Sequence, residues 1–572
     1  MSIYRVTDTD VLQFIQFKNS IDSEITLKFD LTLEVESNLL IRDLTQHLDV
    51  KKISFLSLYS LYNKGDLPEG VETLDFNCGV NPFPVGMVPS SVKHIYFASN
   101  ESGIDMGKDH LPAGLRVLSV YDLSVNGITS LNELRFLKVL NIGLFEHPLD
   151  TPLPSTLEEV SLYRFNQPIA QGVLPQGLKS FSFGGDFNRQ LCPGMLPDSL
   201  TELGLSGKVE TYKDQLDQIL PKSLLKIHFQ YFLSPLYIGF LPEGVETIHP
   251  LYLHVNNPEI LVGALPHKLK TLVFGNQRCL LHKNAIPASV THLSLSPTFN
   301  RELIDGQDGQ RLLPPNLTHL VFPGEYKKQI PRNSLPNTLK HLSLSVYKQP
   351  IEPNVLPSSI HTLNFDCALP ALTANIIPPS VQKIAFSVEF ATYIEPGALS
   401  SNITEISFVN VYPHPMPHGV LPPTLKKLRI SCPHLADIVL PNSLTNLTLE
   451  LIKDQTLHQG FLPPSLTALS LCAMGSGLNP STLKKEYFPP TLKCLKLSQI
   501  QFALQVDMIP PTVRSLDLGL WYDKSINIHS IPPSVKFLYL PQDYDLKKLS
   551  LQSTTTIPIL GQCLYSKDDS NK

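Results

Sequence analysis

Leu196-Pro197-Asp198-Ser199-Leu200-Thr201-Glu202-Leu203-Gly204-Leu205 is one copy of a motif, Leu-Pro-x-Ser-Leu-x-x-Leu-x-Leu, that recurs along almost the whole chain. Copies start at 67, 88, 111, 133, 153, 174, 196, 220, 241, 265, 286, 313, 335, 356, 377, 399, 421, 440, 462, 488, 509 and 531, the one at Glu133 being disguised. The 22 starts are spaced by roughly 22 residues, a period that marks a solenoid and not a string of globular domains. With the first residue of a copy as position zero, position four runs Val71, Val92, Leu115 and so on to Val535. Position seven runs Leu74, Ile95, Leu118 to Leu538, and position nine runs Phe76, Phe97, Val120 to Leu540. Of these 66 slots, 65 are aliphatic or Phe, and the exception is Pro250.

Positions seven and nine are two apart, so they share one side of a short strand, and the residues between them face the other way. A single such strand cannot bury its apolar side. Copies stacked at about 4.8 Å each give a parallel ladder with a continuous core behind it, on the order of 100 Å along its arc. Position nine is Phe in nine copies, including Phe365, Phe386 and Phe408 in succession, which predicts an aromatic spine inside the coil. Proline fixes its own backbone angle and biases the preceding residue toward extended structure, so each Leu-Pro or Pro-Pro stiffens the approach to a strand. The 50 prolines are periodic and therefore do not signal disorder. The period leaves little room for a helix on the return path, so the coil is expected to be β-rich and helix-poor. Pro250 lacks the ladder N–H, so the rung at 247–251 is expected to be broken or bulged. Copies 286 and 462 are longer than the rest, so residues 298–312 and 473–486 are expected to project as loops.

A second motif follows some strands: Phe165-Asn166-Gln167-Pro168-Ile169, Phe187-Asn188-Arg189-Gln190-Leu191, Phe299-Asn300-Arg301-Glu302-Leu303 and the degraded Tyr347-Lys348-Gln349-Pro350-Ile351. With the repeat, this resembles the FNIP-repeat family, named for Phe-Asn-Ile-Pro, over roughly residues 49–551. The resemblance implies a leucine-rich-repeat-like parallel β ladder of about 22 rungs. Some members of the family join the repeats to an F-box or a protein kinase domain. Position twelve holds Asn100, Leu123, Phe165 and Lys208 among others, so no continuous buried Asn ladder is expected.

The organisation read from the sequence is an N-terminal cap at 1–48, the repeat solenoid at 49–551 and a polar C-terminal tail at 552–572. In the cap, Ile25, Leu27, Phe29, Leu31, Leu33 and Val35 alternate with polar residues, the pattern of a half-buried strand. Leu40, Leu44 and Leu48 follow at helical spacing, and that long alternating strand is unlike the helical bundle of an F-box. Leu546, Leu549 and Leu551 repeat the core phase after a shortened turn. A formal net charge of −5 and a pI near 6.4 give no bulk electrostatic case for nucleic acid. No stretch is long and apolar enough to span a membrane, and Met1-Ser2-Ile3-Tyr4-Arg5 lacks the regions of a signal peptide. The eight cysteines form no Cys-x-x-Cys pair and share no repeat phase, which reads as free thiols in the cytoplasm.

Phosphate-binding, dinucleotide, zinc-protease and nucleophile-elbow motifs are missing from the sequence, and no cofactor is expected. The acids expected on the exposed strand face are Asp75, Glu159, Glu202, Asp366, Glu405 and Asp517, no two of them on adjacent rungs, so glycosidase-type pairing is not set up. That face is mostly Ser, Thr, Gly and other small residues, with two departures. His292, His319 and His341 hold position six of three consecutive copies, and His228 and His249 hold position eight of two. Such histidines are expected about 5 Å apart on one face, where protonation between about pH 5 and 7 sets them against each other. Position five is basic in ten copies: Lys93, Arg116, Lys138, Lys179, Lys270, Lys340, Lys426, Lys493, Arg514 and Lys536. The functional reading is a non-enzymatic repeat scaffold holding a protein partner on its long strand face, with the five histidines as candidate contacts. The alternatives are substrate recognition for a ubiquitin ligase, by analogy with F-box relatives, and a solenoid carbohydrate-active enzyme.

Overall fold

The computed structural model describes residues 2–5, 31–35, 50–55, 67, 69–76, 85–98, 109–123, 125–208, 215–253, 259–275, 280–304, 309–324, 326–344, 347–366, 371–452, 455–473, 480–541, 544, 548–550 and 559–561. The helical spacing at 38–48 and the tail from Ser566 lie outside these residues. Two compact units divide the chain, Met1–Val290 and Thr291–Lys572.

In the first unit, ten copies carry strands, from Thr73–Phe76 to Thr271–Phe274, and each pairs in parallel with the next. Strands Ser2–Arg5, Leu31–Val35 and Val50–Phe55 join the same ladder ahead of them, also in parallel. In the second unit, twelve copies carry strands, from His292–Ser294 to Phe537–Leu540, again paired in parallel. The protein is thus a helix-poor parallel β-solenoid, and the strands fall where the phase of the repeat puts them. The one α-helix among the described residues, Val125–Leu131, occupies the return path of copy 111. At the other end the ladder partner of Phe537–Leu540 is Ile559–Gly561. Leu549–Ser550 instead pairs with Ile526–Asn527 on the return side, so Leu549 does not resume the core phase of the strand ladder.

Each element of the motif has an assignable job. The N–H of position four donates to the carbonyl of the proline at position one, as in Leu200 to Pro197 and Leu339 to Pro336, both 3.2 Å, which closes a turn into the strand. The carbonyl of position five then accepts two N–H groups from the next copy: Thr201 at 2.8 Å and Glu202 at 3.0 Å both donate to Lys179. The Ser or Thr at position three donates its hydroxyl to the position-four carbonyl of the copy before. Examples are Ser199 to Leu178 at 2.6 Å, Ser359 to Leu339 at 2.7 Å and Ser465 to Leu444 at 2.7 Å. These bonds satisfy backbone carbonyls that the turn leaves outside the strand ladder.

Behind the ladder, the three apolar columns fill the core. Leu178, Phe181 and Phe183 in the first unit and Ile360, Leu363 and Phe365 in the second are wholly buried. Burying each Phe contributes roughly 1.5–3 kcal/mol. Ring contacts run along position nine, Phe76 on Phe97 at 4.9 Å and Phe386 on Phe408 at 4.7 Å, both stacked.

A second aromatic column lies at the turn after the strand. Phe165 and Phe187 stack at 6.1 Å, Tyr326 and Tyr347 at 6.0 Å, Phe390 and Tyr412 at 6.2 Å, and Tyr522 and Tyr544 at 6.0 Å. The Phe of the Phe-Asn motif is therefore an inward wedge, and Tyr serves in the same slot. Its partner Asn accepts from the equivalent turn of the next copy: Asn166 Oδ1 takes the Asn188 N–H at 3.1 Å, and Asn300 Oδ1 the Lys327 N–H at 2.9 Å. Where Tyr replaces Phe, the buried hydroxyl reaches the preceding turn. Tyr347 donates to the Lys328 carbonyl at 3.1 Å and accepts from the Ile330 N–H at 3.2 Å. Tyr412 makes the same pair of bonds with Thr392 and Ile394. Tyr326 is the exception: its buried hydroxyl has no hydrogen-bond partner among the described residues. Burial pushes its ionisation far above the usual tyrosine range, with Tyr347 and Glu302 adding to it.

The irregularities have local causes. At Pro250 the ladder slips by one residue: Ile248 pairs with Leu272, but Leu251 pairs with Phe274. The bulge puts Leu251, 2% exposed, into the core slot that Pro250 cannot fill. The insertion in copy 286 closes on itself through an antiparallel bridge between Ile304 and Arg311, with the Leu312 N–H on the Leu303 carbonyl at 2.8 Å. In copy 462 the insertion includes short 3-10 turns at Pro480–Thr482 and Lys485–Tyr487.

The tyrosine column gives a paired expectation. Tyr347→Phe strands the Ile330 N–H and the Lys328 carbonyl and is expected to cost about 1 kcal/mol, whereas Tyr326→Phe removes an unsatisfied hydroxyl and is expected to be neutral or stabilising. Urea unfolding of the two variants beside the parent decides it; equal losses would contradict the assignment.

Candidate partner-binding strand face

The outward positions six and eight are displayed on the register just described. His292 pairs with His319 and His319 with His341, residue for residue. The rings stack face to face, at 3.9 Å between His292 and His319 and 4.1 Å between His319 and His341, closer than strand spacing alone implies. The Thr318 hydroxyl donates to the Thr291 carbonyl at 3.1 Å and lies 2.9 Å from His319 Nδ1. Because its proton is committed, Thr318 Oγ1 accepts from Nδ1–H, which leaves Nε2 of the neutral imidazole as an acceptor. Thr291 Oγ1 lies 2.9 Å from His292 Nδ1 in the same way.

Burial, then His292, His341 and Lys340, depress His319 to a pKa of about 4. His341 is lowered for the same first reason, with His361, His292 and Lys340 adding to it. The middle imidazole of the stack therefore stays neutral well below the pH 5–7 window expected from strand spacing alone.

His228 and His249 do not form a comparable stack. Their rings meet edge to face at 6.4 Å. His228 Nδ1 contacts the His249 carbonyl, and its Nε2 lies 3.1 Å from Glu202 Oε1. The bulge at Pro250 is the physical reason: pairing of the strand Lys226–Phe232 with its neighbour stops after Ile227↔Ile248, so position eight loses register. His228 is thereby tied to the rung before it, and His249 is left exposed.

The acids expected on the exposed strand face are held apart from one another, and Asp366, 5% exposed, is buried and not on that surface. Asp75 pairs with Lys52 at 3.2 Å, Glu405 with Lys383 at 3.3 Å and Asp517 with Lys496 at 3.1 Å. Asp366 accepts from the Ser387 hydroxyl at 2.6 Å. Glu159 stands opposite Ser180 in the ladder. Position five is a column of both signs in the first unit. Glu72 pairs with Lys93 at 3.0 Å, Glu246 with Lys270 at 2.8 Å, and Glu158 sits between Lys138 at 2.7 Å and Lys179 at 2.5 Å. Hydrogen bonds from those two lysines hold the Glu158 carboxyl down at about 2. The Glu–Lys alternation was visible in the sequence; the ion pairs follow once the copies are known to stack in register.

Among the described residues, no group of three or more His, Cys, Asp and Glu side chains is placed to hold a metal ion. Cys192, Cys432, Cys472 and Cys494 are free. No helix among the described residues is long and apolar enough to cross a membrane.

Against known proteins, the family model for the FNIP Repeat matches residues 165–208, 309–347, 340–368, 391–432 and 503–543. A Dictyostelium discoideum protein, probable serine/threonine-protein kinase fnkA, is 46% identical over 54 residues, which is 9% of this chain and only 7% of that protein. Among solved structures, the circular leucine-rich-repeat protein CroV588 superposes with a TM-score of 0.59 at 23% identity, covering 93% of this chain and 81% of that one. TLR13, solved in complex with ssRNA13, gives 0.54 at 15% identity, covering 93% and 90%. These superpositions show the fold.

The stack sets a pH dependence of stability. A depressed His319 means that the unfolded chain takes up a proton more readily than the folded one below about pH 6.5. Its contribution is complete above that pH and is lost as pH falls toward about 4. Unfolding followed across that window should therefore show stability falling with pH, and His319→Asn should flatten the fall. An unchanged pH profile in the variant would count against the assignment.

Proposed function

We propose that this FNIP-repeat, leucine-rich-repeat-like chain is a non-enzymatic scaffold that holds a protein partner on its strand face, with His292, His319 and His341 as central contacts. The observation that carries the reading is the in-register imidazole stack. It forms an ordered row of three stacked rings on a face whose other outward positions are largely small polar residues and ion-paired charges such as Asp75 with Lys52 and Glu405 with Lys383. Long parallel strand surfaces of repeat proteins serve recognition because neighbouring copies place side chains on one extended sheet. One neighbour in fold, TLR13, was solved with single-stranded RNA, but a formal net charge of −5 gives this chain no bulk attraction for a polyanion. His228 and His249 are secondary candidates, since His228 is already engaged by Glu202.

Replacing His292, His319 and His341 together with Asn should leave the fold intact, because position six faces away from the core. It should weaken capture of the partner in affinity purification from the native cell, and remove the loss of capture that acidification causes in the parent. The same partners and the same pH response in parent and variant would sink this reading.

A further inference from the structure

In the first unit Lys93, Lys138, Lys179 and Lys270 each pair with a position-five glutamate of a neighbouring copy, so the one run of three cations there, Lys93–Arg116–Lys138, is neutralised at both ends by Glu72 and Glu158. The last copies of the second unit break this rule. Lys493, Arg514 and Lys536 occupy position five of three consecutive copies, and all three are exposed. Their backbones are locked in register: the Arg514 N–H donates to the Lys493 carbonyl at 2.8 Å, and the Lys536 N–H to the Arg514 carbonyl at 2.7 Å. None of the three side chains has an ion pair or hydrogen bond to a described residue. The acid on the neighbouring strand positions, Asp517, is taken by Lys496 at 3.1 Å, and Asp507 by Lys485 at 3.0 Å. Three like charges stacked at about 4.8 Å repel one another, a cost that Glu72 and Glu158 offset at the two ends of the run Lys93–Arg116–Lys138 and that no glutamate offsets at Lys493, Arg514 and Lys536. Beside Lys536, Phe537 is 42% exposed on a strand position where the other copies of this row carry Ser515 and Cys494.

We propose that the ridge Lys493–Arg514–Lys536 is a docking site for an acidic, extended peptide segment of a partner protein, with Phe537 taking an apolar residue next to the acids. This surface is separate from the histidine row and does not depend on it. The chemistry fits in spacing as well as in sign. Three rungs span about 10 Å, and an extended chain rises about 3.4 Å per residue with every second side chain on one face, so acids two residues apart, about 7 Å, lie within side-chain reach of successive cations. Arg514 at the centre offers a planar fork suited to a carboxylate, with a lysine on each side. Rim charges of this kind act through encounter rate and are screened by salt, so the interaction belongs to the weak, salt-sensitive class.

The test is fluorescence polarisation of a labelled peptide of alternating Glu and Gly with one Leu, titrated with the full chain at low and at physiological salt. A Lys-for-Glu version of the peptide and a short single-stranded RNA are run beside it. Three exposed contacts worth about 0.2–1 kcal/mol each correspond to a loss of about tenfold when all three are removed. Lys493→Gln, Arg514→Gln and Lys536→Gln combined should therefore weaken the acidic peptide by about tenfold. Arg514→Lys, which keeps the charge and loses the fork, should fall between the parent and the triple variant, and Lys93→Gln, Lys138→Gln and Lys179→Gln combined, which remove cations already paired, should leave binding unchanged. No binding by the parent, or equal loss in both triple variants, would overturn the site. Tighter, ridge-dependent binding of the RNA would overturn the peptide assignment in favour of a nucleic-acid partner.

Discussion

Register is the constraint on which everything else rests. The position-five carbonyl of each copy takes two N–H groups from the next, and the position-four carbonyl takes a Ser or Thr hydroxyl. A copy that slid by one residue would lose both and turn its apolar side to solvent. Because the copies cannot slide, each column of the sequence becomes a physical row of side chains about 4.8 Å apart. The consensus Ser is therefore as much a part of the fold as the consensus Leu.

What a row does depends on what fills it. Aromatic rows gain from stacking and burial, and the structure has two, at position nine and at the following turn. A tyrosine in the second row adds hydrogen bonds to the preceding turn, as at Tyr347 and Tyr412, so the Phe-to-Tyr drift of the motif is an exchange of one kind of cohesion for another. Charged rows behave in the opposite sense, since like charges at this spacing repel. Glu158 between Lys138 and Lys179 is the neutralised form of such a row, and Lys493, Arg514 and Lys536 are its uncompensated form. Histidine lies between the two: neutral rings stack, protonated rings repel, and the row at His319 settles the conflict by holding the proton off.

Departures from register change the chemistry locally. The slip at Pro250 brings Leu251 into the core and keeps the apolar column unbroken. The same slip turns the His228 and His249 rings edge to face in place of a stack and leaves His228 Nε2 beside Glu202. Two histidine groups that look alike as sequence columns therefore present different surfaces, one a stack and the other a bridged single ring.

The sequence by itself determined the architecture: the period, three apolar columns and the placement of strands such as Thr73–Phe76, Glu202–Gly207 and His341–Leu344. It could do so because a repeat states the same local rule many times, and a parallel ladder has few ways to obey it. It also located the histidine columns and the bulge at Pro250. Tertiary structure decided what depends on neighbouring copies a full period away. Ring stacking of His292, His319 and His341, the pairing of Glu72 with Lys93 and the inward turn of the Phe-Asn ring are all contacts of this kind. A column shows which residues will meet, but their distance, tilt and proton occupancy come from the packing around them.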